Sequence, residues 1–348
     1  MAHDIRVAVI GTGYIAHTMI AAIGHVSGMQ VVGVCSRTAE RARMVADSLG
    51  VATAYGTLDA VLADPAVDMV YIGNSTADHA DVAIRALEAG KAVLGEKPFA
   101  VDVREAERVA AAARRTGKLF MEAVATPFLP AVRVALDQAA SGGLGTVRHL
   151  SASFGYPASA TSHPGLYAEA GGGVLLDRAI YLVTLARLAL GPIEHSRATI
   201  TRDAAGIDTE AALLLTHAGG ATSQLAASLT TLLGNSMTIS GDRGAVTVSA
   251  PLLSAEQVMA ETAGLPERPA ASAGTRNALK ERPLVRRLAS LARLRKNRFV
   301  PFGRSPYVPE LEHFRDLYRA GAQESPVLPL QLSLDVMRVL DAARDDRR

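Results

Sequence analysis

Tryptophan is absent from this chain, cysteine occurs once, and aromatic residues make up 4% of its 348 positions. The lone thiol, Cys35, rules out an internal disulfide framework and fits a reducing compartment. No apolar run approaches the roughly 18 residues that a membrane-crossing helix needs, and Met1 to Val9 runs straight into strand-like sequence. A soluble, cytoplasmic protein with no membrane partner is expected. There is no H-E-x-x-H pattern and the nine histidines are scattered, so no metal site is expected. Strong charge of either sign is also missing: the formal net charge of +2 is too small to imply a polyanionic partner for the whole molecule.

The charge is unevenly placed, however. Between Leu265 and Arg304, eleven lysines and arginines stand against two glutamates, Glu267 and Glu281. Leu284, Leu288 and Leu291 recur at helical spacing with Arg286, Arg287, Arg293 and Arg295 beside them, a pattern that suits a basic amphipathic helix. Aromatic residues do not interleave with these charges as they would on a nucleic-acid surface. An insertion at about 265–305, exposed or packed on a neighbouring subunit, is the preferred reading, and no nucleic-acid partner is expected.

What is present suits two globular domains: 49% of the residues are apolar, enough for a sizeable core at this length. Ile5 to Ile10 is an apolar run of strand length. Gly11-Thr12-Gly13-Tyr14-Ile15-Ala16 follows at once, and then a helical pattern through Val26. Strand, glycine turn and helix in that order form a dinucleotide-binding signature. The glycines permit a tight turn and close backbone approach to a pyrophosphate, Ala16 lets the helix sit near the sheet, and the helix N-terminus offers unpaired N–H groups to the anion.

The second strand, Gln30 to Cys35, ends in Ser36-Arg37-Thr38, where an NAD site usually places a carboxylate for the ribose 2′-hydroxyl. A hydroxyl and a guanidinium suit a 2′-phosphate instead, so NADP is favoured over NAD. The alternative is that Arg37 only stacks on adenine and either cofactor binds. Three further units follow: strand Ala52–Tyr55 with helix Leu58–Ala63, strand Met69–Ile72 with helix Asp78–Ala89, and strand Ala92–Leu94 with helix Val101–Thr116. Leu119–Glu122 closes the series. This alternation predicts an α/β fold with a doubly wound parallel Rossmann sheet over residues 1–125. Asn74 lies at a strand's C-terminal end, where it can border the cofactor. His79 opens the next helix and reads more as a helix-start residue beside the cofactor than as a catalyst.

Beyond residue 125 the pattern changes. A linking helix over Pro127–Ala140, a strand over Val147–Phe154 and a helix over Gly173–Leu190 precede strands near His195–Arg202, Glu210–His217, Thr222–Leu229, Ser236–Ser240 and Ala245–Ser249. Short turns at Gly219-Gly220 and Gly241-Asp242-Arg243-Gly244 predict antiparallel hairpins. Ala211–Leu215 and Leu225–Leu233 carry few charges, so a partner subunit over one sheet face is plausible. Pro309–Ala320 and Leu332–Ala343 are the closing helices.

Gly95-Glu96-Lys97-Pro98 sets a lysine between a strand end and a proline-fixed turn, where an α/β sheet presents its chemistry. Four stretches resemble the Gfo/Idh/MocA family of nicotinamide-dependent oxidoreductases. They are this one, the glycine turn at Gly11–Ala16, the strand ending Tyr71-Ile72-Gly73-Asn74, and Gly171-Gly172-Gly173-Val174-Leu175-Leu176-Asp177. The resemblance implies a Rossmann domain at 1–125 and, at 126–348, an α/β domain whose large, mostly antiparallel sheet closes the active site and often forms the oligomer contact. A homodimer or homotetramer is therefore expected. It also implies that Glu96 and Lys97 lie at the cofactor, that Lys97 serves the substrate oxygen or proton transfer, and that the Lys97–Pro98 peptide is cis. Many members have histidine four residues after the aspartate. Tyr181 stands there in this chain, as in the branch that includes dimeric dihydrodiol dehydrogenase, NADP-dependent xylose dehydrogenase and glucose-fructose oxidoreductase.

Asp177 and Tyr181 are four apart and would share a helix face aimed at one pocket. A lysine ammonium near the phenol would favour phenolate and ease acid/base work. The expected catalytic group is thus Lys97, Asp177 and Tyr181, with hydride moving between nicotinamide and a carbinol or carbonyl carbon of a sugar, polyol or cyclic diol. Two departures stand out. The branch usually carries tryptophan and arginine after the closing strand, where this chain has alanine and proline within Glu122–Pro130. Arg178 is an unusual successor to the aspartate. These departures motivate the alternative of a catalytically inactive, nucleotide-sensing regulatory protein of the same fold. Glycoside cleavage with retained NAD is opposed by Ser36-Arg37.

Overall fold

The computed structural model describes residues 4–262, 283 and 297–345. Six parallel strands form the first sheet: β1 (Ile5–Ile10), β2 (Met29–Cys35), β3 (Thr53–Tyr55), β4 (Met69–Ile72), β5 (Ala92–Glu96) and β6 (Phe120–Ala123). Their spatial order is β3-β2-β1-β4-β5-β6. Every residue of β4 and β5 is buried, because helices cover both faces of a parallel sheet, and this is why both strands read as unbroken apolar runs. The order reverses between β1 and β4, which opens a crevice at the carboxyl ends of these strands.

The connecting helices are α1 (Tyr14–Ile23), α2 (Ala39–Leu49), α3 (Leu58–Ala63), α4 (His79–Glu88) and α5 (Val103–Thr116). Their ends follow local chemistry. Thr38, Thr57 and Asp102 accept bonds from backbone N–H groups in the first turns of α2, α3 and α5, and left-handed Gly50 and Gly117 close α2 and α5.

The second half begins with α6 (Pro130–Ala140) and β7 (Val147–Gly155), then reaches α7 (Ile180–Leu190) through a wide turn at Leu175–Ala179. Strands β8 (Ile193–Arg202), β9 (Asp208–His217), β10 (Thr222–Ser228), β11 (Met237–Gly241), β12 (Gly244–Val248), β13 (Gln257–Thr262) and β14 (Asn297–Phe299) follow, and α8 (Val308–Arg319) and α9 (Leu330–Asp345) complete the described chain. The eight-stranded sheet runs β14-β13-β12-β11-β7-β10-β9-β8. Within it only β7 and β10 pair in parallel among the described residues. Alternation along the strands sends Leu150, Leu213, Leu215, Leu225 and Ile239 into the core, against α6, α7 and α9. The opposite face carries small residues around a broad concavity of about 1480 Å³. No described helix is long and apolar enough to cross a membrane.

Two expectations need correction. The reading of Gly173–Leu190 as one regular helix misses the wide turn, because glycine-rich spacing carries no mark of it. The predicted sheet also omits β14, the short, exposed edge strand, and β13 beside it, which is largely exposed with polar residues and no apolar alternation. The basic helix expected around Leu284–Leu291 lies outside the described residues.

Candidate functional site

A cleft of about 1140 Å³ lies at the carboxyl ends of β1, β2 and β4, lined in part by Gly11, Thr12, Gly13, Ser36, Arg37 and Asn74. Gly11 has φ +117°, and a Cβ there would stand 2.3 Å from the Gly73 carbonyl oxygen. Only glycine lets β1 and β4 approach this closely before the turn. Gly13 caps α1 without a side-chain bond, and the first turn holds no acidic residue, so the helix presents open N–H groups to an anion. Asn74 Oδ1 is buried without a partner among the described residues. A cradle that excludes a Cβ, an open helix N-terminus and an orphaned polar atom together fit a dinucleotide. Thr38 and Arg41 also line this cleft beside Ser36 and Arg37. Arg41 was not singled out from the sequence; its signal is position, in the first turn of the helix that Thr38 caps. Exposed Tyr14 and half-buried Ile15 form the first turn of α1 and do not line the cleft.

A second group forms where β5 ends. The Lys97–Pro98 peptide is cis. Lys97 Nζ donates to Asp177 Oδ1 at 2.7 Å and to the Asp177 backbone carbonyl at 2.9 Å. It also lies 5.0 Å from the centre of the Tyr181 ring, within cation–π range. The wide turn matters here, since the Ile180 N–H reaches back to the Leu175 carbonyl. Such turns loosen carbonyls from the regular ladder, and the Asp177 carbonyl accepts from Lys97. Burial alone would raise the Asp177 carboxyl, but Lys97 and then Arg178 outweigh it and hold it below the ordinary carboxylate range.

Tyr181 departs from expectation. Burial, with Glu96, Tyr307, Asp177 and Glu310 nearby, pushes its phenol well above the ordinary value. The lysine does not pull it down, for two reasons visible in the geometry. The ammonium is neutralised by Asp177, and it faces the ring rather than the hydroxyl. The Tyr181 hydroxyl makes no hydrogen bond among the described residues.

His79 and Glu96, both expected at the cofactor, are buried and do not line the cleft. The His79 ring meets the Pro98 carbonyl through Nδ1 at 2.8 Å and the Asn74 carbonyl through Nε2 at 3.3 Å. Burial holds the imidazole below its ordinary pKa, so the neutral ring donates through one nitrogen, and the shorter contact marks Nδ1. His79 is a strut between the cleft loop and the Lys97–Pro98 turn. Glu96 Oε1 accepts from the Tyr71 hydroxyl at 2.5 Å, and Oε2 accepts from the Lys97 N–H at 3.2 Å. Its carboxyl braces the backbone of Lys97 and does not reach the cleft.

Gly171 and Gly173 both have positive φ; a Cβ on Gly171 would meet Thr76, and one on Gly173 would meet Asp208. The glycine run thus lets the Asp177 segment pack directly against the cleft loop. Asp208 Oδ2 in turn accepts from the Leu175 N–H at 2.8 Å, a seat that the sequence did not reveal.

Residues 5–124 match the model of the Gfo/Idh/MocA oxidoreductase family with its NAD-binding Rossmann fold, and residues 132–247 match the family's C-terminal domain. The chain belongs to the Gfo/Idh/MocA oxidoreductase family. Rabbit (Oryctolagus cuniculus) trans-1,2-dihydrobenzene-1,2-diol dehydrogenase is 31% identical over 340 residues, covering 97% of this chain and 96% of the relative. The bovine (Bos taurus) enzyme of that name is 30% identical over 317 residues, covering 90% and 88%. Among solved structures, the 3-ketoreductase KijD10 of Actinomadura kijaniata with NADP and TDP-benzene superposes with a TM-score of 0.80 at 27% identity, covering 98% of this chain and 97% of that one. Aldose-aldose oxidoreductase from Caulobacter crescentus has a TM-score of 0.80 at 23% identity, with 99% of each chain covered, which shows the fold.

As a member of this family, the protein is an oxidoreductase with an NAD(P)-binding Rossmann domain. Arg178, the unusual neighbour of Asp177, is explained by packing. Its guanidinium turns into the second sheet, donates to the Tyr156 and Ser228 carbonyls, and lies 5.4 Å from the Phe154 ring centre. Phe154 meets Tyr156 and Tyr181 edge-on, at 6.0 and 5.8 Å between ring centres. Arg178 therefore ties the Asp177 turn to the aromatic wall beside Tyr181. The alanine and proline found after β6, Ala125 and Pro127, are buried.

Proposed function

We propose that the protein is an NADP-dependent dehydrogenase or reductase acting on the CH–OH group of a sugar, polyol or cyclic diol. One observation carries the reading: Lys97, fixed by Asp177 and set over Tyr181, stands at the end of a strand beside a nucleotide-shaped cleft. An ammonium has three donors, and Asp177 takes two of them. The third is left for a substrate oxygen. Lys97 would hold that oxygen and stabilise negative charge on it, while Asp177 keeps the ammonium aimed.

Tyr181, protonated at neutral pH, would give its proton to the oxygen as a carbonyl is reduced, and take it back in the reverse direction. NADP, when bound, supplies or accepts the hydride. Gly11, Thr12, Gly13 and the α1 N-terminus would hold its pyrophosphate, Asn74 a ribose hydroxyl, and Ser36, Arg37 and Arg41 the 2′-phosphate. No carboxylate stands at the end of β2, and three donors do, which supports NADP over NAD. The relatives named for dihydrodiol oxidation and the neighbour solved with NADP support the same class.

The open face of the second sheet, bordered by the end of α9, supports a homodimer, in keeping with its many small residues. The direct test is turnover of NADP⁺ and NAD⁺ with a panel of aldoses, polyols and trans vicinal diols. Substrate-dependent reduction of NADP⁺ that is lost in Tyr181→Phe is the expected result; tight cofactor binding with no turnover on the whole panel would oppose it.

A further inference from the structure

Helix α9 runs behind the segment that carries Lys97 and grips it at successive points. Ser333 donates to Glu122 Oε2 at 2.6 Å, and Glu122 Oε1 accepts from the N–H of Phe99, two residues past Lys97, at 3.4 Å. Farther along, Asp341 Oδ2 accepts from the Val103 N–H at 2.7 Å, and Arg344 donates to the Val101 carbonyl at 3.1 Å. Glu122 is 3% exposed and sits on β6 directly opposite Gly95 of the lysine-bearing strand. We propose that Glu122 is a positioning residue for Lys97: seated by Ser333, it fixes the turn after the lysine through the Phe99 amide, and its charge sets the field in which the ammonium sits.

Four groups act on Glu122 from the packed elements: Glu96 at the end of β5 and Lys97 just past it, Glu310 on α8, and Ser333 on α9, which donates to it. Glu310 is fully buried, and neither carboxyl oxygen has a partner among the described residues. Burial, then Glu96 and Glu122, push it well above the ordinary carboxylate range. Burial also raises Glu96. For Glu122, burial is opposed by the Ser333 hydroxyl, the Phe99 N–H and Lys97, and the balance stands at about 7. Glu122 therefore changes charge near neutral pH. Above that point an anion stands behind Lys97 and strengthens the grip on Phe99; below it, both effects fade.

The proposal rests on the assigned role of Lys97 for its consequence in turnover, but its central measurement needs neither substrate nor cofactor. The chain has five lysines, Lys91, Lys97, Lys118, Lys280 and Lys296. Lysine isotopically labelled at Cε therefore gives a sparse NMR spectrum of the full-length protein, in which Lys97 is assigned by its loss in Lys97→Met. The Lys97 signal is expected to inflect with a midpoint near pH 7, where Glu122 titrates. Glu122→Gln abolishes that inflection, and Ser333→Ala moves it to higher pH because the anion loses a donor. An inflection unchanged in Glu122→Gln, or none in the wild type, overturns the proposal. Should Glu122→Gln fail to fold, a midpoint unmoved by Ser333→Ala overturns it equally. In turnover, Glu122→Gln lowers kcat with KM for NADP⁺ nearly unchanged and removes the limb of the kcat profile near pH 7; a parallel loss at all pH values argues for a merely structural residue.

Discussion

Tyr181 holds its proton well past the ordinary phenol range because burial and surrounding acids disfavour phenolate. The raised group is fully protonated at neutral pH and loses its proton only as the pH climbs through that high value, so carbonyl reduction should be flat through neutrality. Alcohol oxidation, which needs the proton acceptor, should rise with pH above neutral. A flat profile for reduction and a rising one for oxidation, the rise lost in Tyr181→Phe along with a fall of about 10²–10⁴ in kcat, are the expected result of pH-rate profiles. At the other end of the cleft, Arg37→Ala should raise KM for NADP⁺ by about ten- to a hundredfold, the worth of a charge-assisted phosphate contact. KM for NAD⁺ should hardly move, and equal losses for both cofactors would show that Arg37 only stacks on adenine. Lys97, Asp177 and Tyr181 were legible as a group because each stands in a motif. Their pairing was not. Lys97 spends its charge on Asp177, and the identity of that partner depends on how two distant segments meet. The same limit applies to His79 and Glu96: motif position brought them to the site, while chain crossing gave them carbonyl and hydroxyl partners.

Among the elements, the strands and helices of the first sheet could be read nearly to the residue, because unbroken apolar runs, glycines and capping side chains are local signals. The wide turn before α7 and the grip of α9 on the lysine-bearing segment are not local: the turn meets Lys97 and Asp208, 80 and 33 positions away, and the α9 contacts join stretches more than two hundred positions apart. Glu122, within that grip, makes the stability of the fold depend on pH. Its folded value of about 7 lies above the ordinary 4.5. Below pH 4.5 the group is protonated in folded and unfolded chains alike and contributes nothing. As pH rises toward 7 the unfolded chain ionises first, so this residue costs the fold stability, on the order of 3 kcal/mol once both states are ionised. Glu122→Gln should remove that cost. Thermal melts of the two proteins should nearly coincide near pH 4.5 and separate toward pH 7, with the variant melting higher. A gap that does not grow with pH would show that Glu122 is ionised in the fold throughout.

At the scale of the whole molecule, the two sheets present a contrast. Both faces of the first are covered by helices, whereas the second is covered on one side by α6, α7 and α9 and open on the other. On the open side, Ser151 and Ser153 of β7, Ala212 and Leu214 of β9, and Ala226 of β10 line the concavity. Leu214 is 47% exposed near its middle. Small side chains there let a second sheet approach to the roughly 10 Å at which sheets stack, and a two-fold axis would place the same patch on both sides. None of these residues belongs to the nucleotide cleft, whose lining comes wholly from the first sheet and its helices. Leu214→Arg should therefore separate assembly from cofactor binding, since it sets like charges face to face at the centre of the patch. Light scattering after gel filtration should give a dimer mass for the wild type and a monomer mass for the variant, while NADPH affinity by fluorescence titration stays within about twofold, because charges outside the cleft are screened over about 10 Å. A wild-type protein that is monomeric at the highest concentration tested would remove the dimer. A dimer that survives Leu214→Arg would move the interface off this face.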